Sequence, residues 1–452
     1  MLDMSILLQK AVESIGEVLG NSVNLEDMLV NVRKCTDTLA LGVIQSHIES
    51  IDTGIRESIQ RKKDWYTERR GDIKSITTGF GVLSFERTYY RSKRKSEYIY
   101  LLDCLMGIEG HQRLDKGYQD ALISESTLKS YENASLTAGK VKVSRQTVKS
   151  LIHKMEPESI KKMLVPETKR KVENLYIDAD EDHVSVLRGK TLHQDLLYVY
   201  EGKKEGYKRN ELVKPYYITG VSGKDLFLEA WEYIRDNYDT EGIKRIYVQG
   251  DGAKWIRSGV SIIPNSRFVL DRYHLSKYVN DCTGGDAQYK AEIYSALDNG
   301  DYEALDVVMN RIIEKGDVSR DRIYRGFQYL YSNFDGITIR NSGKEKPVGC
   351  SAESHVSHIL SARLSSRPLT WSVHGADNMA KIRVYLKNGG NLKELRYESE
   401  YIRKVEEQYK GYIKTVENRG KIMYDDYNNV EVLRNGHNTG LYKVLKMIRG
   451  IC

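Results

Sequence analysis

Proline is scarce in this chain, with six among 452 residues, which leaves little room for disordered linkers. Cysteine is scarce as well. Cys35, Cys104, Cys282, Cys350 and Cys452 are scattered, and none forms a CxxC or a Cys/His cluster. That argues against a disulfide framework or a structural zinc, and for reduced cytosolic thiols. No window approaches 18 apolar residues, so no bilayer-spanning segment is expected. The opening "MLDMSILLQK" carries Asp3, has no early basic region, and its apolar run is too short for a signal peptide. The expected location is the cytoplasm. Common catalytic signatures are missing too: no GxSxG, HExxH or GxGxxG stands in a usable context. "RGKT" at Arg188–Thr191 imitates the tail of a phosphate-binding loop, but Val184 occupies the place of its first glycine, and the stretch reads as a hairpin turn.

What remains is a soluble globular composition, 40% apolar and 29% charged. The length predicts two to four domains. A net charge of +7 favours a polyanionic partner through steering, and says nothing about fold.

Periodicity predicts a helical region over 1–74, then a small β-rich element over 75–118 in which "ITTGFGVLSFERTYYRSK" and "YIYLLDCLMG" read as strands joined by a basic turn, Arg91–Lys95. Over 119–165 the stretch "YENASLTAGKVKVSRQTVKSLIHKM" reads as helix, turn after Gly139, and a second helix capped by Ser144. This helix-turn-helix-like pattern puts Arg145, Gln146 and Lys149 early on the second helix, where base edges are read. Two ordinary core helices with a solvated polar face give the same pattern.

From 170 to 280 the order changes to three strands in a meander ("VENLYIDADEDHVSVLR", "DLLYVYEG", "ELVKPYYITGV"), then helix, strand, short helix, strand. That is the chain order of an α/β ribonuclease-H-like catalytic domain. A helical insertion over 281–345 follows, with no sheet face evidently left for it, so a protruding subdomain is expected. The core resumes over 346–395 with a final amphipathic helix, and 396–452 form a C-terminal helical tail.

Carboxylates fall at the strand ends. On the first strand of the meander Leu175, Ile177 and Ala179 point one way, and Tyr176, Asp178, Asp180 and Asp182 the other. Asp251 ends a later strand between two glycines, and Glu353 opens the late helix. In a ribonuclease-H-like fold these three places meet, and three carboxylates there bind two divalent cations for in-line attack at phosphorus. Asp178, Asp180 and Asp182 are spaced about 6.6–7 Å apart along the strand, so at most one or two of them reach one ion. Glu181 and Asp182 read as solvated turn acids. His355 and His358 are three apart on the late helix but lack a third zinc-type ligand nearby.

Together "LYIDADEDHV", "VQGDGAKWI", "FVLDRYHLSKYV" and "GCSAESHVSHILSARLSSRPLTWS" resemble the ISLre-group bacterial insertion-sequence transposases, which are DDE enzymes related to mutator-type elements. The similarity covers nearly the whole chain, including "GVLSFERTYYR", "YLLD" and "SYENAS". It implies Asp180, Asp251 and Glu353 as the catalytic, metal-binding triad, with Mg²⁺ or Mn²⁺ as two ions per site. Asp178 becomes a supporting residue. Asp271 and His274 match the relatives' Cys/Asp-x-x-His motif. The relatives' insertion fits the 353 − 251 = 102 residues between the second acid and the glutamate. The resemblance also implies double-stranded DNA (terminal repeats and target) as partner, a homo-oligomer in the synaptic complex, and nucleoid association when DNA-bound. Cleavage by water at element ends is then followed by attack of the freed 3′-OH. Arg363, Arg367, Lys381 and Arg383 become phosphate contacts, with a solvated helix face as the alternative. A cellular nuclease or resolvase on the same fold, and a non-enzymatic DNA-binding regulator, are the competing readings.

Overall fold

The computed structural model describes residues 4–155, 168–206, 210–341 and 347–393. The expected tail at 396–452 lies outside them. The chain divides into two compact units, one reaching to Val148 and the other beginning at Lys149.

The first unit opens with helices α1 (Met4–Asn21) and α2 (Leu25–Glu57). Asn24 caps α2, its side-chain oxygen accepting from the Asp27 N–H at 2.8 Å. After the short α3 (Ile59–Asp64) the chain enters β1 (Trp65–Thr77), β2 (Val82–Ser92) and β3 (Tyr98–Ile99), an antiparallel sheet in that order. Helix therefore gives way to strand at Trp65 rather than near residue 75. The polar run "TERRGDIK" carries no strand alternation of its own and is extended by its pairing, from Trp65↔Ser92 to Thr77↔Val82. "YLLD" lies mainly in a helical turn, α4 (Leu101–Leu105), not a strand. Ile48, Ile51 and Ile55 on one stripe of α2 bury against Trp65, Phe85, Tyr90, Leu101 and Leu102. Helices α5 (Lys116–Ser126), α6 (Tyr131–Thr137) and α7 (Arg145–Lys154) follow. Ser135 Oγ and the Val143 backbone hydrogen-bond reciprocally after α6, and Ser144 Oγ accepts from the Thr147 N–H at 3.1 Å to start α7.

The second unit is built on a five-stranded sheet. Its strands are β4 (Asn174–Val186), β5 (Lys190–Tyr200), β8 (Tyr216–Gly220), β9 (Arg245–Gly250) and β10 (Ser266–Leu270), with a small β6 (Gly202–Lys204)–β7 (Glu211–Val213) ribbon between β5 and β8. The spatial order is β10-β9-β4-β5-β8. β4, β5 and β8 are antiparallel neighbours, while β9 runs parallel to β4 and β10 parallel to β9. Helices α8 (Gly223–Asn237) and α9 (Lys254–Ser258) connect the later strands.

β4 does not end at its acids. It runs on to Val186 because β5 pairs with it throughout, including Glu181↔Asp195 and Asp182↔Gln194. The connecting turn uses left-handed backbone at Arg188 (φ 70°) and Gly189 (φ 68°), as the hairpin reading of "RGKT" anticipated.

The two faces of the sheet differ. Leu175, Ile177, Ala179, Leu197, Val199 and Ile218 join Leu226, Phe227, Ala230 and Ile234 of α8 in one apolar core. Helices α10 (Arg272–Thr283), α11 (Ala287–Asn299), α12 (Tyr302–Lys315), α13 (Arg320–Ser332) and α14 (Phe334–Asn341) share that same core through Val279, Leu297, Leu305, Phe327 and Phe334. These helices continue the sheet's apolar core past β10, where Gly336 packs directly against Phe268. The opposite face carries Tyr176, Asp178, Tyr198, Tyr200 and Tyr217. It meets a helical segment made of α15 (Ala352–Val356), a π turn at Ser357–Ser361 and α16 (Ala362–Leu364), followed by α17 (Val373–Lys387). Among the described residues no helix is long and apolar enough to cross a membrane.

Candidate active site

Three neighbouring parallel strands set the site. Asp178 is the β4 partner of Gln249 on β9, and continuing that register by two residues brings Asp180 beside Asp251. Leu270 of β10 partners Gly250, and the Asp271 N–H donates to the Gly250 carbonyl at 2.8 Å. So Asp251 and Asp271 stand just past the carboxyl ends of β9 and β10, and Asp180 stands beside them in the middle of the longer β4; open α/β sheets hold their ligands at the carboxyl ends of parallel strands. Glycine makes the approach possible: a Cβ on Gly250 would lie 2.7 Å from the Ala179 carbonyl oxygen, and Gly252 is left-handed at φ 90°.

The electrostatics follow from this crowding. Asp180 is half-buried, and its carboxyl is pushed up to about 6, first by burial and then by the neighbouring charge of Asp251. His274 acts on it in the opposite sense and lowers that value. Its own affinity for a proton is raised, first by the hydrogen bond to Asp271 (Nδ1 to Oδ2, 3.1 Å) and further by Asp251 and Asp180. Asp251 is oriented by its Oδ1 accepting from the Ala253 N–H at 2.8 Å and by Tyr329, whose hydroxyl donates to its carbonyl. The site is an acid cluster short of positive charge.

Asp178 plays a different part. It is fully buried, and its oxygens accept from Tyr198 (2.7 Å), Tyr200 (3.0 Å), Gln249 (2.9 Å) and the Ser351 N–H (2.8 Å). With its lone pairs taken by protein donors, it ties β4 to β5, to β9 and to the loop that starts α15. Glu353 lies two residues beyond Ser351, exposed on α15, which packs against β4; its side chain makes no hydrogen bond or ion pair among the described residues.

The remaining residues divide. Arg145 and Gln146 are exposed and Lys149 is half-buried on α7. Arg367 is exposed, but Arg363 is only 6% exposed, with its guanidinium over the Trp371 ring at 4.6 Å, which is neither a solvated helix face nor an open phosphate contact. Lys381 pairs with Asp377 at 2.7 Å, and Arg383 donates to the His358 and Ile359 carbonyls. His355 is held by Tyr217 at 3.0 Å and pushed down to about 4 by burial.

Glu181 and Asp182 are not solvated turn acids. Asp182 is 7% exposed and accepts from Ser365 Oγ at 2.7 Å. Glu181 belongs to a cluster that the sequence reading missed: among the described residues the one group of three ligand-type side chains with all ligand atoms within 4.8 Å is Glu181, His183 and His193. Burial pushes the Glu181 carboxyl up, but hydrogen bonds from Trp255, His193 and His183 hold it below its ordinary value.

The fold and this acid cluster place the protein in a class: a mixed α/β chain with a helical N-terminal region and a mixed sheet presenting carboxylates at its strand ends. The chain belongs to the family described as Uncharacterised protein family (UPF0236), which matches residues 18–401. Its relatives include UPF0236 proteins of Caldanaerobacter subterraneus subsp. tengcongensis. One is 37% identical over 451 residues, covering 98% of this chain and 95% of the relative. Another is 37% identical over 443 residues, covering 96% and 93%. The name of the second joins eleven locus designations of that genome, and the name of the first joins four. The solved Drosophila P element transposase strand transfer complex aligns with a TM-score of 0.23 and 13% identity, over 63% of this chain and 81% of that one, a likeness too slight to carry an argument.

Proposed function

We propose that this chain is the DDE-type transposase of a bacterial insertion sequence, with Asp180, Asp251 and Glu353 as its catalytic carboxylates on a ribonuclease-H-like sheet. The observation that carries the reading is the approach of Asp180, in the middle of β4, to Asp251, just past the end of the adjacent parallel β9, with the Glu353 helix fastened to β4 through Asp178 and Ser351. The strand order, an antiparallel meander followed by two parallel strands added on the side of its first strand, supports that fold. The many loci sharing one name in a single genome are what a mobile element produces.

The donor set suits a hard divalent cation. It consists of carboxylate oxygens, and Asp180 carries an ionisation cost that burial and Asp251 impose and that a cation would relieve. Asp180, Asp251 and Glu353 would hold Mg²⁺ or Mn²⁺, which supplies nucleophile activation and neutralises charge on the phosphoryl group. The chain's own groups set the geometry. Asp178 is saturated by its four partners and so positions strand and helix, leaving Asp180 as the first acid. His274, fixed by Asp271, keeps a positive charge beside the acids to higher pH than a free imidazole. DNA is the proposed partner, read by the exposed Arg145 and Gln146 together with Lys149 on α7, with Arg367 beyond α16 as a phosphate contact. A homo-oligomer would bring two element ends together.

The test uses the full chain and DNA bearing the flanks of its own gene. Strand cleavage should require Mg²⁺ or Mn²⁺ and stop with chelator. Asp180→Asn, Asp251→Asn and Glu353→Gln should each abolish cleavage and leave the gel shift intact. Cleavage surviving in chelator, or in any of the three variants, overturns the assignment.

A further inference from the structure

Glu181, His183 and His193 lie on the face of β4 opposite to Asp180. Alternation puts Glu181 and His183 on that face, and the hairpin register sets His193 directly across from His183. Both imidazoles address one oxygen: Glu181 Oε1 lies 3.1 Å from His183 Nε2 and 3.1 Å from His193 Nδ1. The other oxygen, Oε2, accepts from Trp255 Nε1 at 2.7 Å. Asp195 is the cross-strand partner of Glu181 on the same face. It is 5% exposed, makes no side-chain hydrogen bond or ion pair among the described residues, and has Glu181 and His193 as the charges acting on it.

We propose that Glu181, His183 and His193 form a binding site for a zinc-class divalent cation, separate from the Asp180–Asp251–Asp271 acid cluster, with the buried Asp195 as a neighbouring negative charge. Ligands about 2.0–2.1 Å from a tetrahedral ion stand roughly 3.3 Å from one another, close to the spacing already present. Two imidazole nitrogens with carboxylate oxygens suit zinc, while Mg²⁺ demands an oxygen shell and retains waters. Trp255 acts as an outer partner, orienting the Glu181 carboxylate as ligating carboxylates are usually oriented. Since Trp255 sits on α9, just after the Asp251 turn, an ion here would clamp the β4–β5 hairpin to that helix. The proposal does not rest on the transposase reading.

The probe is Zn²⁺ alone, titrated calorimetrically into the full, metal-stripped chain with excess Mg²⁺ present. The expected result is a zinc site of one ion per chain that Mg²⁺ does not displace. His183→Ala and His193→Ala, both at exposed side chains, should each weaken it more than tenfold, since loss of even an outer-shell partner costs about 10–100-fold. Trp255→Phe should weaken it less. Asp180→Asn and His274→Ala, at the strand-end acids, should leave it unchanged. Circular dichroism of each variant separates lost binding from lost folding. Absence of zinc binding overturns the proposal, as does binding that survives both histidine substitutions. A loss caused equally by His274→Ala would move the ion to the acid cluster and overturn it too.

Discussion

Replacing Asp180 by asparagine should make the metal-free protein more stable, and only at neutral pH. The folded carboxyl ionises near 6 instead of 3.8, chiefly because it is buried and then because Asp251 lies beside it. Below about pH 3 the group is protonated in folded and unfolded chains alike, and burial adds no ionisation cost. As pH rises towards 6 the unfolded chain releases its proton first, so stability falls, and above 6 the whole loss is present. A shift of about two units corresponds to roughly 3 kcal/mol at 1.36 kcal/mol per unit, and solvent reaching a half-buried group reduces this to about 1–3 kcal/mol. Asparagine keeps the shape without the charge. Calorimetric melting in chelator should therefore show Asp180→Asn above the parent at pH 7.5, by about 2–4 °C for each kcal/mol in a unit of this size, with the difference gone by about pH 3. Added Mg²⁺ should raise the parent and not the variant. Equal melting at pH 7.5, or the same gain at both pH values, would refute the account of Asp180 as a charge held at a cost.

Two further outcomes follow from the packing. Asp178→Ala takes an acceptor from four donors, three of them buried, and should cost about 3–5 kcal/mol in urea unfolding, whereas Asp178→Asn should lose only part of that. Gly250→Ala forces a Cβ to 2.7 Å from the Ala179 carbonyl oxygen and from Ile256, and should cost about 1–3 kcal/mol; an unchanged urea midpoint would mean that β4 and β9 are less tightly joined than described.

The sequence displayed much of this arrangement. The meander, the later strands and the helices from 281 to 333 were visible as periodicities, and the acids stood at recognisable ends. What hid was partnership. The extent of β4 depended on β5, so acids in mid-strand passed for a turn. The insertion helices showed apolar stripes, but their place in the sheet's core is a matter of tertiary packing. Asp178 is satisfied by residues 20, 22, 71 and 173 positions away, which no local pattern reveals. The histidine pair was nearer to hand. Once the "RGKT" turn is placed at Arg188–Gly189, counting outwards from Arg188 pairs Val186 with Lys190 and His183 with His193. Glu181 then shares their face by alternation alone.

The bond from the Ser351 N–H to Asp178 spans 173 residues. A ribosome adding about 5–20 residues per second needs roughly 9–35 seconds to travel that far. Throughout that interval the nascent sheet lacks one donor to its central carboxylate, and the helix bearing Glu353 does not yet exist. A product cut short by a frameshift or a broken message before Ser351 stays in that unfinished state. Such a product lacks both the bond that closes over Asp178 and the helix that carries Glu353.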